Sequence, residues 1–179
     1  MTGVQTCALP ILSLDELLQL AGRIGADVPF CVCGGCCLGE GRGERLTPLP
    51  FLTQELVVAK PLQSTSTAQA FAAYDCWENP EHPATQEVLY YLKAGEKDRV
   101  WPLLKNALEQ PCLLPESRAL LLALREQGAK AALMTGSGSA VFGVFENGEA
   151  GRVEQKLQSA FPKAFVKAAQ LQKNGVSFA

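Results

Sequence analysis

Residues 129–145 read Ala129-Lys130-Ala131-Ala132-Leu133-Met134-Thr135-Gly136-Ser137-Gly138-Ser139-Ala140-Val141-Phe142-Gly143-Val144-Phe145. Two apolar runs, Ala129 to Met134 and Ala140 to Phe145, flank a glycine- and serine-rich segment. Each run has the length of a strand, and glycine with serine punctuates chains at turns. The stretch predicts two strands around a glycine loop. Asn147-Gly148 then signals a turn, Gly151 to Ala160 a helix stopped near Pro162, and Ala164 to Leu171 a closing strand. Upstream, Glu55 to Lys60 is a β-type run ended by Pro61. Between it and the glycine loop, Ser64 to Thr67 offer N-caps for a helix over Ala68 to Asp75, and residues 78–83 make a loop. Further helices are expected over Thr85 to Ala94, Asp98 to Glu109 and Glu116 to Gln127. Pro102 falls early in the second, and Gly128 closes the third. From residue 54 onward the order is β, several helices, β, β, α, β. That is the split βαβ, ferredoxin-like arrangement with a helical insertion after its first strand, an α+β fold.

Before residue 53 the signals are local. Ser13-Leu14-Asp15-Glu16 is a capping box. Leu14, Leu17, Leu18, Ala21 and Ile24 follow at helical spacing, and Gly25 is a natural stop. Two strand-like runs flank Gly39 to Glu44, which reads as a turn. Residues 1–11 carry neither period. They look like a translated library adapter, with a frayed natural terminus as the other reading. An adapter-like tail is therefore expected over 1–11.

The chain has 179 residues, 16 Lys plus Arg and 18 Asp plus Glu, for a net charge of −2. Phosphate coating wants a basic excess, so a nucleic-acid-binding role is not expected. Hydrophobic residues make up 47% and charged residues 19%, which is not the balance of a disordered chain. There is no apolar run of about 18 residues to span a membrane. Met1 to Leu12 holds no basic residue and reads as no secretory signal, so a cytoplasmic setting is expected. Seven cysteines are present, four of them in Cys31-Val32-Cys33-Gly34-Gly35-Cys36-Cys37. Cys33 and Cys36 have the spacing of a zinc-binding pair. No second such pair follows, and His82 is the single histidine. The flanking run Val28 to Cys33 reads instead as buried and apolar, with cysteine packing as a small hydrophobe.

Three segments offer chemistry. Thr135 to Ser139 can bring backbone N–H groups and two serine hydroxyls close to an anion, or can be a plain turn. It lacks the Gly-Lys-Ser/Thr of a P-loop. Asp27, in Gly25-Ala26-Asp27-Val28-Pro29-Phe30, is a carboxylate among apolar neighbours, either structurally paired or poised as a base. In Ser64 to Phe71, Thr67 and Phe71 share one helical face. They read as a cap and a core phenylalanine, or as a hydroxyl and a ring that hold a substrate.

Taken together, Leu14 to Phe30, Gly41-Arg42-Gly43-Glu44, Lys60-Pro61, Ser66-Thr67-Ala68 and Met134 to Gly143 resemble the 4-diphosphocytidyl-2-C-methyl-D-erythritol kinases of the GHMP superfamily. The resemblance covers nearly all of residues 12–179. It implies an ATP- and Mg²⁺-dependent transferase of non-mevalonate isoprenoid biosynthesis, acting on a small-molecule alcohol. It implies that Asp27 is the catalytic base, that Thr67 and Phe71 contact substrate, and that Thr135, Gly136, Ser137, Gly138 and Ser139 form a loop near the phosphates. The family's main ATP loop and its N-terminal lysine would precede residue 12, so the resemblance implies a remnant of the N-terminal domain over 12–52 and the C-terminal domain over 53–179. The resemblance therefore implies a C-terminal part with little or no activity of its own, and with apolar surface on residues 14–40 that promotes aggregation. Two other readings stand beside it: a homoserine- or mevalonate-type kinase of the same superfamily, and a non-catalytic cysteine-rich metal or interaction module.

Overall fold

The structure is a computed structural model and describes residues 12–175. The adapter-like tail and Cys7 lie outside the described residues. The chain divides into two compact units, one of residues up to Leu52 together with those from Gln172, the other Thr53–Leu171. The second unit thus closes at Leu171, where the sequence was divided as 53–179.

In the first unit, α1 (Leu14–Ile24) opens with the expected capping box. The Glu16 N–H donates to Ser13 Oγ at 3.3 Å, and the Ser13 N–H donates to the Glu16 carboxylate at 2.7 Å. The Ser13 N–H and the Ser13 hydroxyl, both donating to the Glu16 carboxylate, hold that carboxyl below the usual range. Next comes α2 (Val28–Cys33), where the apolar pattern had suggested a buried run. It is a six-residue helix in which only Pro29 is fully buried, while Phe30 and Cys31 are exposed. A helix sends consecutive side chains around its axis, so a run apolar on every side cannot bury all of them against one neighbour. Pro29 is tolerated because the first turn needs no N–H from it. Strands β1 (Cys36–Glu40) and β2 (Arg45–Leu49) then pair antiparallel, Leu38 opposite Thr47 and Glu40 opposite Arg45. Gly41 and Gly43, at φ +70° and +114°, carry the chain around the bend.

The second unit begins with β3 (Glu55–Lys60) and continues through α3 (Thr67–Asp75), α4 (Thr85–Ala94) and α5 (Lys97–Val100). A 3₁₀ turn over Trp101–Leu103 leads to α6 (Glu109–Cys112) and α7 (Pro115–Glu126). The unit ends with β4 (Ala131–Met134), β5 (Val141–Phe145), α8 (Ala150–Ala160) and β6 (Phe165–Gln170). The strands form one antiparallel sheet in the order β4-β5-β3-β6. β3 and β4 therefore run parallel with β5 between them, which is the split βαβ arrangement read from the sequence.

Strand alternation explains the core. Val57, Ala59, Ala132, Met134, Val141, Phe145 and Val166 are buried and cluster with Leu120, Leu121 and Leu124 of α7 and Val153 and Leu157 of α8. Each fully buried Leu or Val adds about 1.5–3 kcal/mol of apolar burial. Gly143 lets α7 lie close: a Cβ there would meet Leu124 Cδ2 at 3.1 Å and the Phe145 ring at 3.0 Å. Glu154 of α8 ties that helix to β6. Its carboxylate accepts the Ala168 N–H at 2.8 Å and Lys167 Nζ at 3.2 Å.

The single helix expected over Asp98 to Glu109 is not formed. It breaks into α5, the 3₁₀ turn and an extended step at Leu104, with ψ 129°. Pro102 has no N–H to donate back along a helix and crowds the preceding turn, so the short α5 stops ahead of it. Among the described residues no helix is long and apolar enough to cross a membrane.

Candidate functional site

The glycine loop is built by its strands and held from outside. Its ends close when the Thr135 N–H donates to the Ala140 carbonyl and the Gly138 N–H donates to the Thr135 carbonyl, each at 3.0 Å. Gly136 and Gly138 take φ +55° and +83°. Among the described residues, the N–H groups of Gly136, Ser137 and Ser139 donate to no backbone carbonyl. Amides left in this way at a glycine turn form an anion-binding concavity.

The two loop serines differ. Ser139 is buried: its hydroxyl donates to the Gln63 carbonyl, and its own carbonyl accepts Ser117 Oγ at 2.7 Å. It anchors the loop. Ser137 is free to face a ligand, and its hydroxyl meets Thr67 Oγ1 at 3.0 Å. The structure thus brings together two of the candidate segments, the start of α3 and the glycine loop. Ser66 and not Thr67 occupies the N-cap position of α3, without a side-chain cap bond, and the hydroxyl of Thr67, the first helical residue, meets the loop instead. Phe71 lies one turn further and is 53% exposed, whereas Ala70 is the buried residue of that helix. The reading of Phe71 as core is therefore corrected. A short helix buries its small face, and the ring stands in the open. Thr65 Oγ1 is enclosed and unpartnered among the described residues, and a Cβ on Gly138 would lie 3.6 Å from it.

Asn106 is the loop residue that the sequence hid. Its side-chain amide donates to the carbonyls of Met134 and Gly136, both at 2.8 Å, while its own carbonyl takes the Leu108 N–H at 2.9 Å. The only local signal was an asparagine, a weak helix former, inside a run read as helical. Nearby, Glu109 accepts the Met134 N–H at 2.7 Å.

Asp27 stands in the first unit, exposed, at the N-cap position of α2. Its side chain makes no cap bond. It lies between two helices with its carboxylate open to solvent, and its nearest turn is the hairpin bend: a Cβ on Gly43 would be 3.8 Å from Asp27 Oδ1. In the cysteine cluster, Cys31 is exposed while Cys33, Cys36 and Cys37 are half-buried, so these thiols fill no closed core. Among the described residues no group of three or more His, Cys, Asp and Glu side chains gathers as a metal site.

Residues 91–163 match the family model described as GHMP kinases C terminal. The chain carries the GHMP kinase C-terminal fold. A 4-diphosphocytidyl-2-C-methyl-D-erythritol kinase of Moorella thermoacetica is 40% identical over 162 residues, 87% of this chain and 57% of its own length. One from Clostridium botulinum is 34% identical, over 85% of this chain and 56% of its own length. The chain thus spans about half the length of the curated relatives it matches. Among solved structures, a 4-(cytidine 5'-diphospho)-2C-methyl-D-erythritol kinase superposes with TM-score 0.70 at 31% identity, covering 88% of this chain and 57% of that one. A homoserine kinase from Cytophaga hutchinsonii reaches the same TM-score at 16% identity, covering 92% of this chain and 59% of that one. At that identity the likeness speaks for the GHMP kinase fold alone.

Proposed function

We propose that this chain serves the ATP-dependent phosphorylation of the 2-hydroxyl of 4-diphosphocytidyl-2-C-methyl-D-erythritol, in the cytoplasm, within non-mevalonate isoprenoid precursor biosynthesis. The observation that carries this reading is the hydrogen bond between Thr67 and Ser137, which sets a substrate-facing hydroxyl against a loop suited to phosphate. The curated relatives at 34–40% identity, all kinases of that substrate by name, support it.

In this reading the open amides of Gly136 and Ser137 and the Ser137 hydroxyl receive phosphate oxygens. Thr67 donates to the polar part of the substrate, and the exposed Phe71 ring packs against its base or its methylerythritol end. Ser139 and Asn106 keep the loop in shape. Asp27 accepts the proton of the attacking hydroxyl. Phosphoryl transfer depends mainly on such positioning and charge stabilisation. Mg²⁺ bridging phosphate oxygens is the usual partner of the nucleotide. Loop residues 135–139 supply hydroxyls and amides and no carboxylate, so such a cation would enter with the phosphates it neutralises.

Titration of the isotope-labelled chain by NMR tests the reading, using the diphosphocytidyl substrate, homoserine and mevalonate in separate series. The expected result is amide shifts within residues 67–71 and 135–139 with the diphosphocytidyl compound, weakened in Thr67→Val. Shifts in those segments with homoserine or mevalonate instead, or with none of the three, overturn it.

A further inference from the structure

The cysteine cluster has no part in the function proposed above, yet its geometry is specific. Cys33 is the last residue of α2 and Cys37 the second residue of β1. Gly34 and Gly35, both at φ +68°, turn the chain sharply between them. The turn brings Cys33 Sγ to 3.7 Å from Cys37 Sγ, van der Waals contact for two sulfurs. Both thiols are half-buried and thus still reachable. Cys36 and Cys37 are successive strand residues, so their side chains leave β1 on opposite faces. The Cys-x-x-Cys spacing singled out Cys33 with Cys36, whereas the fold sets Cys33 against Cys37.

We propose that Cys33 and Cys37 form a reversible disulfide by exchange with a small-molecule disulfide of the glutathione class, fastening the end of α2 to β1. An S–S bond is about 2.05 Å long, so the sulfurs must approach from 3.7 Å to form it. The exchange balances. One cysteine, as thiolate, attacks the small disulfide, whose S–S bond breaks, and the first small thiolate leaves. The second cysteine loses its proton, attacks the mixed disulfide and expels the second small thiolate. Two protein thiols are oxidised, one small disulfide is reduced to two thiols, and the two protons pass to the leaving sulfurs. Burial and the neighbouring Cys33 push the Cys37 thiol up to about 11, so little of it is thiolate near neutral pH and attack by that sulfur is slow. Outside oxidising compartments, disulfides are mostly transient and redox-sensing, which is the role assigned here. The link would stiffen a helix of six residues that begins at Val28, immediately after Asp27. The proposal does not depend on the kinase reading.

The test equilibrates the whole chain with oxidised glutathione, alkylates the remaining thiols and digests with trypsin. Arg23 and Arg42 bound a peptide holding all four clustered cysteines. The expected peptide has lost two hydrogens, regains them with dithiothreitol, and yields no backbone fragments between Cys33 and Cys37. Fragments between Cys36 and Cys37 would mean that the bond closes on Cys36, and would overturn the proposal. So would a fully alkylated peptide, or one that holds only mixed glutathione disulfides. Cys36→Ser should keep the bond and Cys37→Ser should abolish it. Hydrogen exchange of the α2 amides should slow in the oxidised wild type and in Cys36→Ser alone.

Discussion

Gly138 sits at φ +83°, and a Cβ there would lie 2.7 Å from Met134 Sδ, on a side chain that is 1% exposed and would have to repack within the core. Gly148 has a similar φ of +92° with nothing within 4 Å. Gly148→Ala should therefore cost only the backbone term, about 1–2 kcal/mol. Gly138→Ala should cost that plus the crowding of Met134, read as a larger drop in the urea midpoint. The Thr67–Ser137 bond makes a second prediction at this scale. Thr67→Val and Ser137→Ala should each weaken binding of the diphosphocytidyl compound, and the double variant should fall short of their sum by about 0.5–3 kcal/mol in a titration cycle. Both residues were legible as candidates because hydroxyls and glycines mark themselves in a sequence. Their meeting was not, since they lie 70 positions apart. Asn106 was missed for the same reason: its bonds go to carbonyls that only the folded loop presents.

Elements were read best where one local rule was enough. Glu55–Lys60 is a strand between the bounds read, α4 a helix between its own, and the α1 capping box is formed as written. The failures came where local rules competed. Pro102 broke the helix expected over Asp98 to Glu109, and the apolar run at α2 was too short to bury more than one side. The junction of α8 with β6 gives a pH prediction. The backbone N–H of Ala168, and after it Lys167, hold the Glu154 carboxyl below its ordinary value of 4.5. A lowered folded-state value stabilises the fold above 4.5, and this contribution fades as pH falls through the lowered value. Glu154→Gln should therefore melt earlier than wild type at neutral pH, with a gap that closes in acid. A gap unchanged down to strongly acidic pH would show that the charge is irrelevant.

Across the whole molecule, one unit is better closed than the other. In Thr53–Leu171 the sheet face is sealed by two helices. Helix α1 instead leaves Leu14 56% and Ile24 79% exposed, and only Ala21 of its apolar stripe is buried. Such a surface predicts binding of a hydrophobic dye and concentration-dependent light scattering. Leu14→Ser with Ile24→Ser should lower both while leaving the Glu55–Gln170 sheet intact by NMR. Unchanged scattering would place the sticky surface elsewhere. The α+β class was legible at this scale because the order of strands and helices restricts the topologies available. The open apolar surface of α1 was expected from the family resemblance and not from periodicity, which reports a face and not what covers it.

The sheet order has a consequence in time. In the four-stranded sheet only β4 and β5 are neighbours both in the chain and in the sheet; β3 is flanked by β5 and β6, which are made long after it. During synthesis β3 therefore waits with both edges bare while helices α3 to α7 emerge, and its second edge is covered last of all. Pairings so distant in sequence slow folding and lengthen the exposure of strand edges. A strand paired on both edges in the finished sheet is thus the one that spends longest unprotected while the chain is being made.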